Sequence, residues 1–411
     1  MGKDYDFDYI IIGSGPAGRA AAYGLARAKK RVAVVEASGL GGAEINTRDL
    51  PSKVSLDFAH NYHAFVSSPA VNQNSCHFNF PTLTADIDKR IHSARDGILD
   101  KFKKLNIHLI SGFAHFLDDH TIAVGDKKYT AKNFILATGA ELKTTEISGL
   151  ETVKYLTPST VFRTRKLPRF VFVVGGGPTG VEIAEYFASL GTGVIIMERG
   201  AHLLPREDDE IADFVTSHLQ NLGANVFTGS RVTAITEDMS SKIVVFMNGT
   251  SEKMVRIDSI VLATGSEPFL DYGLENAGVE YKKSGIITDK FGSTTARNIF
   301  AIGDCLGSPD SSTARATEEA HALVESLLHR AKTTPKYTKI PRIINTSPAI
   351  AILGHNERDA VSRDLSYHKD LTPLQNGFVK IISDSKNRFL GASVVAQNVE
   401  ETLEIKHLLT K

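Results

Sequence analysis

Short apolar runs, glycine turns and helical stretches follow one another in a fixed order near the start of the chain. An apolar run at residues 9–12 precedes the turn Gly13-Ser-Gly-Pro-Ala-Gly18, and an alanine-rich stretch covers residues 17–30. A second apolar run at residues 32–35 ends at Glu36. Short apolar runs bounded by turn signals favour buried strands, and the longer alanine-rich stretch favours a helix. The pattern predicts strand, glycine turn, helix, strand and acid.

The same series recurs later in the chain. An apolar run at residues 170–174 precedes Gly175-Gly-Gly-Pro-Thr-Gly180, a helical stretch covers residues 179–190, and the apolar run at residues 194–197 ends at Glu198. The first glycine and the acid are equally far apart in both copies. A single G-x-G-x-x-G turn is weak evidence, because such turns also arise by chance. Two copies in the same context indicate two dinucleotide-binding units.

Each residue of this motif has a physical role. The first glycine allows a tight turn, the second lets the backbone approach a pyrophosphate, and the third lets helix and strand pack closely. The pyrophosphate then lies against unpaired N–H groups at the positive end of the helix, and the acid accepts hydrogen bonds from a ribose. The predicted site residues are Gly13, Gly15, Gly18 and Glu36 in the first copy, and Gly175, Gly177, Gly180 and Glu198 in the second.

Both halves close on an Ala-Thr-Gly turn, at residues 137–139 and 263–265. A later apolar run ends in Gly303-Asp304, and residues 311–329 have the pattern of a helix with Ser and Thr at its start. Near the end of the chain, further strands are predicted at residues 341–354, 377–382 and 390–396, followed by a helix at residues 400–411.

Composition narrows the possible functions. The chain has 411 residues, which at roughly 100–200 residues per domain predicts two to four domains. Lys+Arg and Asp+Glu each number 47, so no broad charge footprint for nucleic acid or an acidic membrane is expected. The polar start is unlike a signal peptide, and no apolar run approaches the ~20 residues that span a bilayer. We therefore expect a cytoplasmic protein that binds neither nucleic acid nor membrane.

The chain has only two cysteines, Cys76 and Cys305. They are too far apart in the sequence for a C-x-x-C redox site or a zinc knuckle, and no metal site is predicted. We expect both to be free thiols, with Cys305 packed as a small buried side chain.

The chain resembles the FAD-dependent pyridine nucleotide–disulfide oxidoreductases from residue 9 to about residue 400, with its nearest likeness to dihydrolipoamide dehydrogenase, mercuric reductase and soluble transhydrogenase. The matching landmarks are both glycine motifs, both Ala-Thr-Gly turns, the sequence at residues 273–278 and the sequence at residues 301–304. The resemblance implies an α/β fold with two Rossmann-like dinucleotide-binding domains and a shortened α+β C-terminal domain of the dimerisation type. It places an FAD domain at residues 1–148 and 268–338, an NAD(P) domain at residues 149–267, and the truncated domain at residues 339–411.

The resemblance also implies which residues bind the cofactors. In the first unit, FAD would contact Gly13, Gly15, Gly18, Glu36, Gly112, Ala114, Thr138, Gly139 and Asp304, and the helix starting near Ser312 would point its positive end at the flavin. In the second unit, the nicotinamide nucleotide would contact Gly175, Gly177, Gly180, Glu198 and Gly265. Glu198 favours NAD over NADP, since a carboxylate repels a 2′-phosphate. Arg199, its neighbour, could soften that preference.

The sequence departs from the family at the redox disulfide. The family pattern G-G-x-C-x-N-x-G-C-x-P-S-K aligns with residues 41–53, and the frame is kept at Gly41, Gly42, Asn46, Pro51, Ser52 and Lys53. Both cysteine positions are carboxylates, Glu44 and Asp49. A carboxylate cannot replace a nucleophilic sulfur, so reduction of lipoamide, glutathione or thioredoxin by the usual route is excluded.

The resemblance assigns a catalytic pair as well. Lys53 would lie beside the flavin N5 and pair with Glu182, while Glu185 is expected to be a surface or capping charge. The family's closing His–Glu pair is missing, because no His-Pro follows residue 400 and His407 is expected on the surface. A homodimer is therefore possible but weakened by the short C-terminal domain.

These features predict an FAD-dependent NAD(P)H oxidoreductase that reduces a diffusible acceptor directly, such as a quinone, a dye, oxygen or a second nicotinamide. The main alternative is a flavin-binding pseudoenzyme or interaction protein derived from the disulfide reductases. A membrane-associated NADH–quinone reductase is a third alternative, although no basic amphipathic tail supports it.

Overall fold

The computed structural model describes residues 4–72, 76–143, 145–238, 241–308, 310–329 and 332–397. The predicted helix at residues 400–411, with His407, lies outside them. The chain forms two compact units. Unit 1 comprises Met1–Leu50, Asp88–Lys143 and Ser266–Tyr337, and unit 2 comprises Pro51–Ile87, Thr144–Gly265 and Thr338–Lys411. The three-domain division made from the sequence stays a prediction.

The helices match the sequence pattern where that pattern was periodic. The α-helices described are α1 (Pro16–Arg27), α2 (Gly42–Asn46), α3 (Asp49–Val66), α4 (Phe80–Lys104), α5 (Pro178–Ser189), α6 (Asp209–Asn221), α7 (Thr313–His329) and α8 (Glu357–Ser362). The predicted helices at residues 17–30, 179–190 and 311–329 correspond to α1, α5 and α7. Within the described ranges, no helix is both long and apolar enough to cross a bilayer.

The strands belong to several sheets. They are β1 (Phe7–Ile12), β2 (Val32–Glu36), β3 (His108–Ser111), β4 (Ala114–Asp118), β5 (Thr121–Val124), β6 (Lys127–Leu136), β7 (Ala140–Leu142), β8 (Phe170–Val174), β9 (Gly193–Met197), β10 (Asn225–Phe227), β11 (Ser230–Asp238), β12 (Ser241–Asn248), β13 (Ser251–Ile257), β14 (Ser259–Leu262), β15 (Ser266–Pro268), β16 (Tyr281–Lys282), β17 (Gly285–Ile286), β18 (Ile299–Ala301), β19 (Arg342–Ile344), β20 (Ala349–Gly354), β21 (Tyr367–Leu374), β22 (Gly377–Asp384) and β23 (Phe389–Ala396).

The main sheet of unit 1 has a parallel core in the order β3-β2-β1-β6, and β18 also pairs with β6 in parallel. Strands β5 and β4 extend this sheet beyond β6 as an antiparallel meander. Both faces of this core are covered. Ile10 and Ile12 pack into one buried cluster, whereas Tyr9 and Ile11 pack into the other, against α1 and α7. Burial on both faces explains why β1 is a continuous apolar run rather than an alternating one.

Unit 2 contains a parallel sheet in the order β10-β9-β8-β14, a three-stranded antiparallel sheet β11-β12-β13, and an antiparallel sheet in the order β19-β20-β23-β22-β21. The parallel strands follow the same local order as in unit 1, since β8, α5 and β9 repeat the series β1, α1 and β2. The predicted α/β class with two Rossmann-like sheets is confirmed.

A buried lysine joins several elements of unit 2. The side chain of Lys380, on β22, is 0% exposed, and its Nζ lies 2.7 Å from Asp208, 2.7 Å from Glu210 and 2.5 Å from Glu357. Burial lowers the pKa of Lys380, but these carboxylates outweigh burial, so the pKa is raised above its usual value. The three carboxylates converge closely enough to hold a cation, and the ammonium group of Lys380 serves as that cation.

Candidate functional site

The first glycine turn is closely packed in unit 1. Gly13 has a φ of +103°, and a Cβ atom there would overlap the carbonyl oxygen of Ala137. A Cβ on Gly18 would likewise overlap the carbonyl oxygen of Gly13. Helix α1 begins at Pro16 with Gly15 as its N-cap, so no side chain covers its first N–H groups. These groups remain available for an anion.

The acid at the end of β2 is held in place by the same turn. Glu36 Oε2 accepts hydrogen bonds from Ser14 N at 3.0 Å and from Ser14 Oγ at 2.5 Å. Glu36 Oε1 accepts from Ser38 N at 2.9 Å. The Ser14 hydroxyl also accepts from Gly41 N at 2.8 Å. Glu36 is thus held at the end of the glycine turn by both of its carboxylate oxygens.

These residues open on a cavity of about 410 Å³ within unit 1, a size in the range of small-molecule sites. The predicted FAD-binding residues on its wall are Gly13, Gly15, Glu36, Gly112, Ala114, Thr138, Gly139 and Asp304. Gly18 is not on the wall, because it packs against Gly13 instead. Ser311, Ser312 and Thr313, at the start of α7, also line the cavity.

Asp304 follows Gly303, whose backbone N–H is held by the buried carboxylate of Glu319. Gly303 N donates to Glu319 Oε2 at 2.7 Å, and Glu319 is 3% exposed. Arg48 Nη1 lies 3.7 Å from Asp304 Oδ2. Burial raises the pKa of Asp304 above its usual value, although the Arg48 guanidinium acts in the opposite direction.

The retained residues of the family's disulfide frame have structural roles in this chain. Gly41 and Gly42 have φ angles of +101° and +65°, which glycine adopts without strain. Asn46 Nδ2 donates to Gly39 O at 2.9 Å and to Gly42 O at 2.6 Å, and its Oδ1 accepts from Arg95 Nε at 2.6 Å. The backbone of the frame therefore persists for reasons independent of sulfur chemistry.

The two carboxylates at the cysteine positions are engaged by neighbours in unit 1. Glu44 pairs with Arg19 of α1, and Arg19 also donates to Gly41 O at 2.8 Å. Asp49 Oδ2 accepts from Thr313 Oγ1 at 2.5 Å, at the first residue of α7. An anion at a helix N-terminus is favoured by the helix dipole, so Asp49 is well placed electrostatically.

Both cysteines are free thiols. Cys305 is fully buried, and its Sγ donates to Ile302 O at 3.2 Å. Burial raises the pKa of Cys305 to about 12, and the negative charges of Glu319 and Asp304 act in the same direction. Cys76 is partly exposed and belongs to unit 2. Cys305 is therefore the small packed thiol that the sequence predicted.

Unit 2 repeats the nucleotide turn. Gly175 has a φ of +110°, a Cβ on Gly175 would overlap the carbonyl oxygen of Ala263, and a Cβ on Gly180 would overlap that of Gly175. Glu198 Oε2 accepts from Gly176 N at 2.7 Å, and Glu198 Oε1 accepts from Gly200 N at 2.6 Å. Arg199 is exposed. The acid of the second motif is thus fixed to its glycine turn as Glu36 is.

The structure places the predicted catalytic residues in unit 2. Lys53, on α3, is exposed, and Glu182, on α5, accepts from Asn345 N at 2.7 Å and from Asn345 Nδ2 at 2.9 Å. Their catalytic pairing stays a prediction.

The expectation for Glu185 is wrong. Glu185 is 1% exposed, and its Oε1 lies 3.0 Å from His218 Nε2 and 3.3 Å from His60 Nε2. Burial raises the pKa of Glu185, but hydrogen bonds from His218 and His60 outweigh burial and keep it below its usual value. The two histidines come from α6 and α3, so the sequence of α5 alone gave no sign that Glu185 would be enclosed.

Sequence analysis also missed contacts made by residues that its motifs leave unspecified. Ser14 is a variable position of the glycine motif, and the role of Arg48 was not considered. Arg48 stands where the family frame has glycine, and this difference was the available signal that its side chain has a role.

The chain is similar to known reductases and dehydrogenases. Residues 7–322 match the family described as pyridine nucleotide-disulphide oxidoreductase. The chain is 29% identical to mercuric reductase of Bacillus cereus over 99% of this chain and 67% of that protein. It is 26% identical to dihydrolipoyl dehydrogenase of Bacillus subtilis (strain 168) over 96% of this chain and 88% of that one. Among solved structures, the Cu(II) complex of the HOCl-induced flavoprotein disulfide reductase RclA from Escherichia coli matches with a TM-score of 0.87 and 25% identity, over 100% of this chain and 93% of that one.

Proposed function

We propose, since the chain belongs to the pyridine nucleotide-disulphide oxidoreductase family, that it is an FAD-dependent NAD(P)H oxidoreductase without a cysteine relay. The acceptor would be a diffusible molecule such as a quinone, a dye, oxygen or a second nicotinamide. The observation that carries this proposal is the pair of carboxylates at the two cysteine positions, Glu44 bound to Arg19 and Asp49 bound to Thr313.

The residues of the unit-1 cavity fit FAD. The wall at Gly13 and Gly15 carries no side chain, the N-terminus of α1 offers N–H groups for a pyrophosphate, and Glu36 is oriented for a ribose. When bound there, FAD would supply the redox chemistry that links NAD(P)H to the acceptor. The start of α7 would place the positive end of a helix dipole at this wall. Lys53 and Glu182 remain our candidates for stabilising charge during hydride transfer.

The proposal excludes thiol–disulfide chemistry, because carboxylates occupy both cysteine positions of the family frame and the Cys305 thiol is buried. A carboxylate offers no sulfur to attack, and the Cys305 thiol is buried with a raised pKa, so almost none of it is thiolate near neutral pH. Reduction of small disulfides would therefore need a sulfur that the unit-1 cavity does not provide on its described wall.

The test of the proposal is anaerobic addition of NADH to the purified flavoprotein. We expect the visible flavin band to bleach, and reoxidation to follow when a direct acceptor is added. If the band keeps its intensity after NADH is added but is bleached by dithionite, the hydride step is absent and the proposal fails.

The acceptor is then identified from a panel. Quinones, dyes, oxygen and a nicotinamide analogue represent direct acceptors, while lipoamide and oxidised glutathione represent disulfides. The names of the relatives justify adding Hg(II) and Cu(II). We expect turnover with at least one direct acceptor and none with the disulfides.

We also propose that NADH is preferred over NADPH. Because both oxygens of Glu198 accept backbone hydrogen bonds, its negative charge is fixed beside the position of the ribose. We expect kcat/KM to favour NADH by at least about tenfold, or ~1.4 kcal/mol, and the preference to shrink in E198Q. E252Q, which changes an exposed glutamate of β13, is the matched control. Equal kcat/KM for NADH and NADPH in the unaltered protein would contradict the role of Glu198.

A flavin-binding pseudoenzyme is the second candidate. The carboxylates at both cysteine positions also favour it, because the family passes electrons from the flavin to its substrate through those cysteines. Bound FAD together with negligible turnover across the whole panel would favour this candidate. A homodimer and a cytoplasmic location also remain proposals, and light scattering of the purified protein measures the first.

A further inference from the structure

Arg48 belongs to the wall of the unit-1 cavity, at a position where the family frame has glycine. The backbone of Arg48 is close to the first glycine turn. Arg48 N donates to Ala43 O at 2.8 Å, and Ala43 follows Gly42. A Cβ on Gly42 would lie 2.7 Å from the Cα of Gly15, so Gly42 is packed on the glycine turn.

The tip of the side chain pairs with Asp304, which also lines the cavity. Arg48 Nη1 lies 3.7 Å from Asp304 Oδ2, and Asp304 follows Gly303. A Cβ on Gly303 would lie 3.3 Å from the Cβ of Ala17, in the first turn of α1. The guanidinium group therefore pairs with a carboxylate whose neighbour, Gly303, packs against the first turn of α1, where an anion is favoured by the helix dipole.

The guanidinium group has unused hydrogen-bonding capacity. A separation of 3.7 Å makes an ion pair but exceeds hydrogen-bond distance. Across the described ranges, the contacts of the Arg48 side chain include no hydrogen bond, although a guanidinium has five donors. Its side chain is 32% exposed and lines the unit-1 cavity, so these donors are accessible to a ligand there.

We propose that Arg48 binds the pyrophosphate of the dinucleotide in the unit-1 cavity, adding a guanidinium to the backbone N–H groups of α1. Guanidinium and phosphate oxygens form charge-assisted, often bidentate hydrogen bonds. Asp304 orients the guanidinium without consuming its donors. This inference rests on the proposed function, because it takes FAD to be the ligand.

The test measures ligand affinity on the full-length protein. Apoprotein is prepared by deflavination, and binding of FAD, ADP and riboflavin is titrated by fluorescence or calorimetry. We expect R48G to weaken FAD and ADP by about 10- to 100-fold and to leave riboflavin unchanged, because riboflavin has no phosphate. R48K should be intermediate, since lysine is a point charge without the planar fork. R297G removes an exposed arginine from a turn and is the matched control.

Each outcome has a distinct meaning. If the unaltered apoprotein binds no FAD, the proposed function fails before Arg48 is tested. If it binds FAD and R48G binds FAD and ADP equally well, the role of Arg48 is overturned. Loss of riboflavin binding with ADP unaffected would also overturn it, because the guanidinium would then serve the flavin ring. R48Q, which keeps most of the side-chain volume, replaces R48G if the glycine variant melts early.

Discussion

Replacing Lys380 with methionine is expected to lower the free energy of unfolding by about 3–5 kcal/mol at neutral pH. The side chain is fully buried and its ammonium group contacts Asp208, Glu210 and Glu357. Methionine matches the length of the side chain but removes the buried cation from the three carboxylates, and the half-exposed Lys369 pairs with only Glu210 and Glu357. The cost arises from those uncompensated charges rather than from a cavity.

The pH dependence of this effect has a definite sign. Burial raises the pKa of Glu210, but hydrogen bonds from Lys380 and then Lys369 outweigh burial and lower it to about 2. A depressed carboxyl pKa in the folded state gives stability that is fully present above the unfolded value of about 4.5 and is lost as pH falls toward 2. K380M lacks the part of this stabilisation that Lys380 provides, so its difference from the unaltered protein should shrink as pH falls from about 4.5 toward 2.

Urea unfolding at a series of pH values measures this effect. K369M is the matched control, because Lys369 pairs with Glu210 and Glu357 while 48% exposed, and an exposed pair contributes only about 0–1 kcal/mol. If K380M and K369M lose the same stability, or if the loss for K380M grows on acidification, the charge explanation is wrong.

The second large effect is expected from the third glycine of each motif. In G18A the new methyl group meets the carbonyl oxygen of Gly13, and in G180A it meets that of Gly175. Backbone atoms cannot retreat as a flexible side chain can, so each turn must open. We expect G18A to be purified without flavin, and G180A to remain yellow but to lose NADH affinity by at least about 100-fold, or ~2.7 kcal/mol.

Absorbance spectra and anaerobic titration distinguish the two variants. G180A should stay oxidised with NADH and bleach with dithionite, which would separate nucleotide binding from flavin function. G97A is the control, because its new methyl group on α4 meets no atom within 4 Å. If G180A lost its flavin while G18A kept it, the assignment of the two cofactors to the two motifs would be reversed.

The parts of the fold that could be predicted are those encoded by neighbouring residues. Gly13, Gly18 and Glu36 belong to one local series, and the turn, the helix and the position of the acid follow from it. Contacts across the chain could not be predicted in this way. Lys380 occurs in an apolar strand pattern with no sign of its partners, because Asp208 and Glu210 lie far earlier in the sequence.

The candidate site was predictable to a similar degree. The glycine turns and the lost cysteines could be recognised by position, because the surrounding frame is retained. The partners of Glu44 and Asp49 could not, since Arg19 and Thr313 reach them from different segments of unit 1. For the same reason Glu185 was misjudged, because its burial depends on histidines from two other helices.

The enclosure of Cys305 has a consequence for chemical resilience. Peroxides and related oxidants attack thiolates that they can reach, and a reductase that passes electrons through a dithiol is inactivated when that dithiol is overoxidised. Here the cavity wall has carboxylates at both positions where the family has the redox cysteines, while the Cys305 thiol is buried and its pKa is raised. Under the proposed function, oxidants would not block electron transfer from the flavin to the acceptor. The rate of turnover under oxidative stress would then be limited by the supply of reduced nicotinamide and acceptor.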